Sequence, residues 1–329
     1  LHSRSTGMCE DRPAFGGMLA DLAELGAIEF NPEPLDEIVE RRLKAIWAAR
    51  ACPCCDQDSL QALDGSSRVW CGRCGWKTTY TRGTPFYRSE LTPGELLIAF
   101  VLYADTLLSL NQIVLLLSPC YKTLHERIKE MESAFIHGFP TVWERISQTV
   151  DGPTQVDETH QTCSGYKGQD TPREGLERGG KPDRGRTRWS GEQGDEMTIV
   201  GACRDVLRVV SAEEGTAYDE NLGPVIQEVD DLSQPLGEVW TDDLPAYQAM
   251  DHNHRTVVHD DEYVSAEGVH TNQVECLWSL LQPWLEKFRG LSKRGLEQAA
   301  RTYGFLRSLN LANAPIHGLI DCISLDVFR

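Results

Sequence analysis

The chain has 329 residues, 50 acidic against 32 basic side chains, and a formal net charge of −18. Its length allows two or three domains with cores of their own, and its hydrophobic share of 40% is ordinary for globular proteins. A balance this acidic argues against nucleic acid as a partner. Proteins of extreme halophiles, however, are acidic because this keeps them soluble in concentrated salt. If that applies here, the charge of each local segment is more informative than the net charge of the chain.

Neither a membrane protein nor a secreted one is indicated. The most apolar run, Leu96–Ala104, is too short to span a bilayer, and no signal peptide is visible. Five of the eleven cysteines crowd into Cys52–Cys74, while the others are scattered singly. This pattern predicts one metal site plus isolated buried thiols in a reducing compartment. We therefore expect a cytoplasmic protein without a membrane partner.

Residues 1–50 form the first predicted segment. Apolar residues at helical spacing predict two helices, Phe15–Leu25 and Leu35–Ala49, separated by prolines. No chemistry is indicated here, so packing or self-association is the expected role.

Residues 51–88 carry two CxxC pairs separated by fifteen residues, which predict a zinc ribbon. Four thiolates satisfy tetrahedral Zn²⁺ and leave no place for water, so the metal would be structural. The predicted ligands are Cys52, Cys55, Cys71 and Cys74, with Cys54 as a spare cysteine.

The second half of this segment is locally basic. Residues 68–88 contain five basic side chains and no acid, with tryptophans and tyrosines interleaved. That pattern predicts a surface that faces phosphates, on which Arg73 and Lys77 bind DNA. A ribbon edge that merely lacks acids is the alternative.

Residues 91–147 are predicted to form a helix-turn-helix DNA-binding domain. Thr92 and Glu95 open a first helix that runs to about Leu108, and Ser109 with Gln112 caps a second one that ends at Leu117. The third, recognition, helix is expected over Tyr121–Phe135, with Pro140–Ser147 as a link. Its predicted DNA-binding residues are Lys122, Thr123 and Arg127. A three-helix connector is the alternative.

Residues 149–312 change to a mixed pattern of strands and helices. The predicted strands are Thr149–Glu158, Met197–Ala202, Val206–Ser211, Glu238–Thr241 and Arg255–His259. A helix at Tyr218–Val229 and two C-terminal helices, the last at Ser292–Leu309, complete a mixed sheet flanked by helices. The polar stretch Gly165–Asp195 is expected to be a long loop that touches DNA. Residues 313–329 are interpreted as a C-terminal tail.

Three acids lie on these predicted elements: Asp157 in the first strand, Asp242 at the end of the fourth strand, and Glu275 in the first turn of a helix. If the first and fourth strands are neighbours, the three carboxylates meet at one edge of the sheet, where they suit two Mg²⁺ (or Mn²⁺) ions about 4 Å apart. Glu158 and Asp243 are the local competitors. For Glu275 the alternative is a capping box with Asn272 as N-cap.

Several motifs, in shared order and spacing, resemble insertion-sequence transposases of the DDE type, in the group with an N-terminal zinc ribbon and helix-turn-helix. They are TRGTPF (81–86), YKT (121–123), VDET (156–159), WTDD (240–243) with Ala246-Tyr247, HTNQVECLWS (270–279) and RSLN (307–310). The resemblance implies an α/β, RNase H-like catalytic domain with Asp157, Asp242 and Glu275 as metal ligands. Family members often carry a lysine where this chain has Gln282, and a serine where it has Cys120.

The implied function is binding of the element's terminal inverted repeats, followed by metal-dependent DNA cleavage and strand transfer into target DNA. Two protomers or more would pair two ends. A second basic region before the last helix predicts that Lys287 and Arg289 contact DNA. The alternative is a sequence-specific DNA-binding regulator, or an inactive transposase copy without catalysis.

Overall fold

A computed structural model describes most of the chain. The described residues are 17–24, 31–63, 65–146, 150–162, 196–214, 218–233, 238–243, 247, 253–258, 264–265, 268–288, 291–313 and 315–325. The predicted loop Gly165–Asp195 and the predicted DNA-binding residue Arg289 lie outside them. None of the helices in these ranges is long and apolar enough to cross a membrane.

The elements follow one another in mixed order. The helices are α1 (Gly17–Glu24), α2 (Glu33–Ala48), α3 (Pro93–Ala104), α4 (Leu110–Leu117), α5 (Tyr121–Ile146), α6 (Tyr218–Leu232), α7 (Asn272–Glu286), α8 (Lys293–Leu311) and α9 (Pro315–Leu325). The strands are β1 (Leu60–Ala62), β2 (Arg68–Cys71), β3 (Lys77–Thr79), β4 (Thr154–Thr162), β5 (Glu196–Arg204), β6 (Leu207–Glu214), β7 (Val239–Asp242) and β8 (His254–Val257).

The chain divides into two compact units. The first, here the N-terminal unit, comprises Glu10–Gln148 and Phe305–Arg329; the second, here the sheet unit, contains Thr149–Gly304. The boundary falls within α8, whose last residues belong to the N-terminal unit.

In the N-terminal unit, three short antiparallel strands form a sheet in the order β1-β2-β3. Helix α2 packs on this sheet through the buried face that ends at Trp47. The Trp47 indole donates a hydrogen bond to the Tyr80 carbonyl oxygen at 2.9 Å and lies 5.7 Å from the Trp76 ring. Of the two roles expected for this first segment, the described part of α2 performs packing.

Helices α3, α4 and α5 follow in the same unit, and the starts of α3 and α4 agree with the capping signals. Thr92 accepts from the Glu95 amide while the Glu95 carboxylate accepts from the Thr92 amide, and the Ser109 amide donates to Gln112 at 2.8 Å. Ser118 ends α4 in the left-handed conformation, with φ +59°.

The predicted link at Pro140–Ser147 is wrong, because α5 continues through Pro140 to Ile146. Proline in a helix interior removes one hydrogen bond and kinks or breaks an isolated helix. Here the flanking residues Phe139, Val142 and Trp143 are buried, and the Phe139 ring stacks on Phe305 at 3.9 Å. This burial offsets the lost hydrogen bond.

The stretch interpreted as a C-terminal tail contains α9, which packs on α5. A side chain at Gly138 of α5 would overlap the carbonyl oxygen of Cys322 in α9. The bare glycine therefore allows the two helices to approach closely. Apolar residues on α9 are buried: Ile316, Leu319, Ile320, Cys322 and Ile323.

The sheet unit contains a five-stranded mixed sheet in the order β6-β5-β4-β7-β8. Strands β4, β5 and β6 are antiparallel neighbours, whereas β7 and β8 run parallel to β4. Helix α7 packs on β4 and β5, and α6 packs on β5 and β6. The first and fourth strands of the predicted sheet are thus neighbours, as the convergence of the acids requires.

Candidate functional site

The predicted cysteine ligands come together in the N-terminal unit. One sulfur each from Cys52, Cys55, Cys71 and Cys74 lie within 4.8 Å of one another. The Cys52–Cys74 and Cys55–Cys71 sulfur distances are both 3.7 Å. Four sulfurs at the usual Zn–S distance of about 2.3 Å stand about 3.8 Å apart in a tetrahedron. The donor set therefore fits Zn²⁺ in both chemistry and spacing, while Cys54 is exposed outside the cluster.

Neighbouring groups favour the thiolate at Cys71. The Ser59 hydroxyl lies 2.8 Å from its sulfur, and the Cys74 amide donates to that sulfur at 3.5 Å. These hydrogen bonds lower the pKa of Cys71 to about 6. Burial and the surrounding sulfurs instead raise the pKa of Cys55 to about 12, since one cluster cannot hold several thiolates without a cation. Gly75, next to Cys74, has φ +75°, which favours glycine at this turn.

Of the four single cysteines in the described ranges, two are the expected isolated buried thiols and two are not. Cys203 and Cys322 are free and buried, but Cys120 is exposed. Cys276, on α7, is disulfide-bonded. Cys9 and Cys163 lie outside the described residues.

The three predicted acids occupy adjoining elements of the sheet unit. Asp157 lies in the middle of β4, Asp242 is the last residue of the parallel neighbour β7, and Glu275 is in the first turn of α7, which packs on β4. Burial, with further contributions from the charges of Asp242 and Glu275, raises the pKa of Asp157 to about 6. The charges of Asp242 and Glu275 therefore act on the Asp157 carboxyl group.

The carboxylates are spread more widely than the sulfurs. Across the described ranges, the four cysteines form the one group of three or more ligand side chains whose atoms lie within 4.8 Å of one another. A pair of Mg²⁺ ions about 4 Å apart places its ligands around both ions rather than around one point. Oxygen ligands of this kind are the ones that Mg²⁺ and Mn²⁺ prefer.

The two competing acids are placed differently. Asp243 is exposed beyond the end of β7. Side chains alternate along a strand, so Glu158 and the fully buried Val156 lie on the face of β4 opposite to Asp157. The buried Tyr247 hydroxyl donates to the Glu158 carboxylate, whose pKa is raised to about 7 by burial and by the charges of Asp157 and Asp242.

The start of α7 corrects one expectation. Asn272 is the first helical residue rather than the N-cap, and Thr271 precedes the helix without a side-chain capping bond. The Thr271 hydroxyl donates instead to the Glu275 carboxylate at 2.6 Å. Glu275 is therefore held by a side chain one turn before it and takes no part in a capping box with Asn272.

Other contacts at this site were missed from the sequence. The Trp278 indole N–H donates to Asp157 Oδ2 at 2.7 Å, and Gln282 donates to the Thr159 hydroxyl at 3.2 Å. The sequence did contain one signal for such a contact: a glycine in the interior of a strand often marks a place where another group comes close, and Gly201 lies in the interior of β5. The position at which the resemblance leads us to expect lysine is thus occupied by Gln282, whose side chain bonds to β4.

The predicted DNA-binding residues differ in the partners that they already have. Lys77 and Arg73 are exposed, and Arg73 donates to Gln57 at 2.6 Å. Lys122 is 83% exposed, and its ammonium lies 3.9 Å from the Glu126 carboxylate. The Lys287 ammonium lies 4.1 Å from the centre of the Trp284 ring, a cation–π contact. The Thr123 side chain is half-buried.

Arg127 is held by its own unit. Its guanidinium donates to the carbonyl oxygens of Pro85 and Arg88 at 3.3 and 3.2 Å and to Glu130 at 2.6 Å. The accepting residue Arg88 has φ +53°, a conformation that side chains rarely adopt. Arg127 thus ties the segment after β3 to α5.

We expect Arg127→Gln to lower the free energy of unfolding by about 1–2 kcal/mol, because two backbone carbonyls lose a charged donor. Urea unfolding of the full chain measures this loss. Lys122→Gln, at an exposed position of the same helix, is the matched control and should be within about 0.5 kcal/mol of wild type. Unchanged stability of Arg127→Gln would indicate that these bonds contribute nothing.

The raised pKa of Asp157 predicts a pH dependence in chelator-treated protein. The unfolded chain releases this proton near pH 4 and the folded chain near pH 6, so the stability from protonation is complete below about pH 4 and is lost as pH rises through about 6. Asp157→Asn should therefore stabilise the protein at pH 8 by about 1–2 kcal/mol, allowing for partial exposure. Thermal unfolding at pH 5 and 8 tests this, with Asp243→Asn as control; an unchanged Tm at pH 8 would contradict it.

Comparison with known proteins confirms the resemblance to insertion-sequence transposases. Residues 168–298 match the family model described as the ISXO2-like transposase domain, a range that includes Asp242 and Glu275 and begins after Asp157. The chain is 26% identical over 267 residues to an uncharacterized protein in transposable element ISH50 of Halobacterium salinarum, covering 78% of this chain and 85% of that protein.

Among solved structures, the Mos1 strand transfer complex is similar at 11% identity and a TM-score of 0.22, covering 67% of this chain and 77% of that one. The mariner Mos1 paired end complex with Mg is similar at 11% identity and a TM-score of 0.24, covering 70% and 77%. Scores this low do not establish a common arrangement of the whole chain.

Proposed function

We propose that this chain is the transposase of an insertion sequence, which binds the terminal inverted repeats of its element and catalyses DNA cleavage and strand transfer. The observation that carries the proposal is the convergence of Asp157 and Asp242, from the neighbouring parallel strands β4 and β7, with Glu275, from the helix packed on β4. The match of residues 168–298 to a transposase domain supports it.

The topology supports an RNase H-like fold for the sheet unit. Three antiparallel strands are followed by a helix and then by two strands parallel to the first, in the order β6-β5-β4-β7-β8. The parallel pair β4 and β7 brings Asp157 and Asp242 to neighbouring strands, and α7 adds Glu275.

In this proposal the three carboxylates hold two Mg²⁺ or Mn²⁺ ions, which would lower the pKa of the attacking water and neutralise charge on the scissile phosphate. In the first reaction a water oxygen forms a bond to phosphorus, the bond to the 3′ oxygen breaks, and that oxygen leaves as a hydroxyl. In strand transfer the oxygen of this 3′ hydroxyl forms a bond to a phosphorus of target DNA. The bond from that phosphorus to the target's own 3′ oxygen breaks, and that oxygen leaves as a hydroxyl. The chemistry needs no covalent protein intermediate, because the side chains bind and orient the reacting groups.

The N-terminal unit is proposed to bind DNA. The four cysteines would hold Zn²⁺ and so order β1–β3 as a zinc ribbon, while α3, α4 and α5 would form a helix-turn-helix. The proposed contacts there are Arg73, Lys77, Lys122, Thr123 and Arg127, and those in the second basic region are Lys287 and Arg289. Pairing of two element ends would require a homodimer or a higher oligomer.

The test is incubation of the purified chain with DNA that carries the element's own ends, in Mg²⁺ or Mn²⁺ and concentrated KCl. We expect nicks that leave 3′ hydroxyls at the element ends, followed by joining of these ends to a target plasmid. Specific binding of the ends without any metal-dependent nicking would instead favour a DNA-binding regulator or an inactive copy.

The acidity of the chain predicts an unusual salt response. At around 1 M salt the screening length is about 3 Å, and counterion release contributes little to binding. Contacts with DNA must then depend on hydrogen bonds and shape, so affinity should fall less steeply with KCl than is usual for DNA-binding proteins. Binding measured by fluorescence anisotropy between about 0.5 and 3 M KCl tests this; a steep loss below about 1 M would contradict it.

A further inference from the structure

Three hydrogen bonds join α7 to one face of β4. The backbone N–H of Gln273 donates to the Gln155 side chain at 2.8 Å. The Trp278 indole donates to Asp157 Oδ2 at 2.7 Å, and the side-chain amide of Gln282 donates to the Thr159 hydroxyl at 3.2 Å. The acceptors are alternate residues of the strand, so their side chains share one face. The middle bond is the one that ends on a proposed metal ligand.

The Trp278 ring fits there because of Gly201. In the antiparallel register of β4 and β5, Gly201 is directly opposite Asp157. A Cβ atom at Gly201 would lie 2.5 Å from the Trp278 ring, closer than such contacts occur. Position 201 therefore has to lack a side chain for the indole to occupy this place beside Asp157.

The buried indole N–H of Trp278 needs a hydrogen-bond acceptor. Trp278 is 8% exposed, and a buried N–H without an acceptor costs about 1–3 kcal/mol. Asp157 Oδ2 satisfies it, which restricts the orientation of the carboxylate. A carboxylate oxygen has more than one lone pair, so this bond orients Asp157 while leaving it able to bind a metal ion.

We propose that Trp278 is a positioning residue for Asp157, and that Gly201 makes room for its ring. Trp278 lies three residues after Glu275, less than one turn along α7. A single rigid side chain thus links the helix that carries the third acid to the first acid. The inference rests on the proposed function, because it concerns how two of the proposed ligands are held for metal.

Trp278→Phe removes the N–H and retains an aromatic ring. We expect the full-length variant to bind Mn²⁺ about tenfold more weakly in calorimetry, the usual loss when a group that orients a ligand is removed. In cleavage assays, excess Mn²⁺ should restore much of the rate, with KM for DNA unchanged.

Gln282→Ala is the matched control, because it removes a bond between α7 and β4 that ends on no carboxylate. Its Kd for Mn²⁺ should stay within about twofold of that of the wild type, because the tenfold loss in affinity is expected only when a group that orients a metal ligand is removed. An equal shift in both variants would show that Trp278 only fastens the helix, and would overturn its role toward Asp157.

Gly201→Ala tests the same contact without changing Trp278, because the added methyl group should push the indole ring away from Asp157. It should weaken Mn²⁺ binding in the same direction, and circular dichroism would establish that both variants are folded. Wild-type Mn²⁺ affinity in a folded Trp278→Phe variant would overturn the positioning role alone. Absence of Mn²⁺ binding to the wild type would overturn the proposed metal site, and the positioning role with it.

Discussion

Asp242→Asn should abolish metal-dependent cleavage of DNA that carries the element ends, with a loss of about 1,000-fold or more. Asp242 ends β7 beside the strand of Asp157, whose carboxyl group its charge affects. Asparagine keeps the shape but removes the charge that would hold a divalent ion, and stabilisation by such an ion is worth several kcal/mol, each 1.4 kcal/mol being about a factor of ten in rate.

The neighbouring Asp243 provides the control for this experiment. It has the same side chain one position later, but it is exposed beyond the end of the strand. Asp243→Asn should keep cleavage within about threefold of wild type, as is usual for an exposed substitution away from a site. Cleavage by Asp242→Asn at the wild-type rate, in either Mg²⁺ or Mn²⁺, would refute the assignment.

Cys74→Ser should prevent binding of the proposed zinc ion, unfold the three-stranded sheet and abolish specific binding of the element ends. Strands β1, β2 and β3 have 3, 4 and 3 residues, too few to be stable alone. Structural zinc supplies about 10–16 kcal/mol in small domains, more than such a sheet could otherwise provide. Zinc analysis should find about one ion per wild-type chain.

Cys54→Ser is the control, because Cys54 lies between the cluster cysteines Cys52 and Cys55 but outside the cluster. It should keep its zinc, its thermal stability and its affinity for the ends. Loss of zinc from Cys54→Ser together with retention by Cys74→Ser would show that the assignment of ligands is wrong. Wild-type stability after removal of zinc by a chelator would show that the metal does not hold the sheet.

Local patterns predicted those parts of the structure that depend on neighbours in sequence. The Thr92–Glu95 and Ser109–Gln112 pairs open α3 and α4 because a side chain and an amide three residues apart meet in any helical first turn. The same reasoning failed at Asn272, where the Thr271 hydroxyl bonds to Glu275. It failed also at Pro140 and at α9, because burial against distant residues outweighs a local tendency to break or to remain a tail.

The sequence by itself determined which residues could carry chemistry here: four cysteines at ligand spacing, and three acids attached to predicted strands and a helix. Both inferences follow from covalent spacing and from the periods of strands and helices, which are properties of the chain alone. Only the tertiary structure decided what holds Asp157. Trp278 is 121 residues away from it in sequence, and its ring lies beside Asp157 because a third element contributes a glycine at position 201. Such a contact depends on three elements packing together, and no local pattern encodes it.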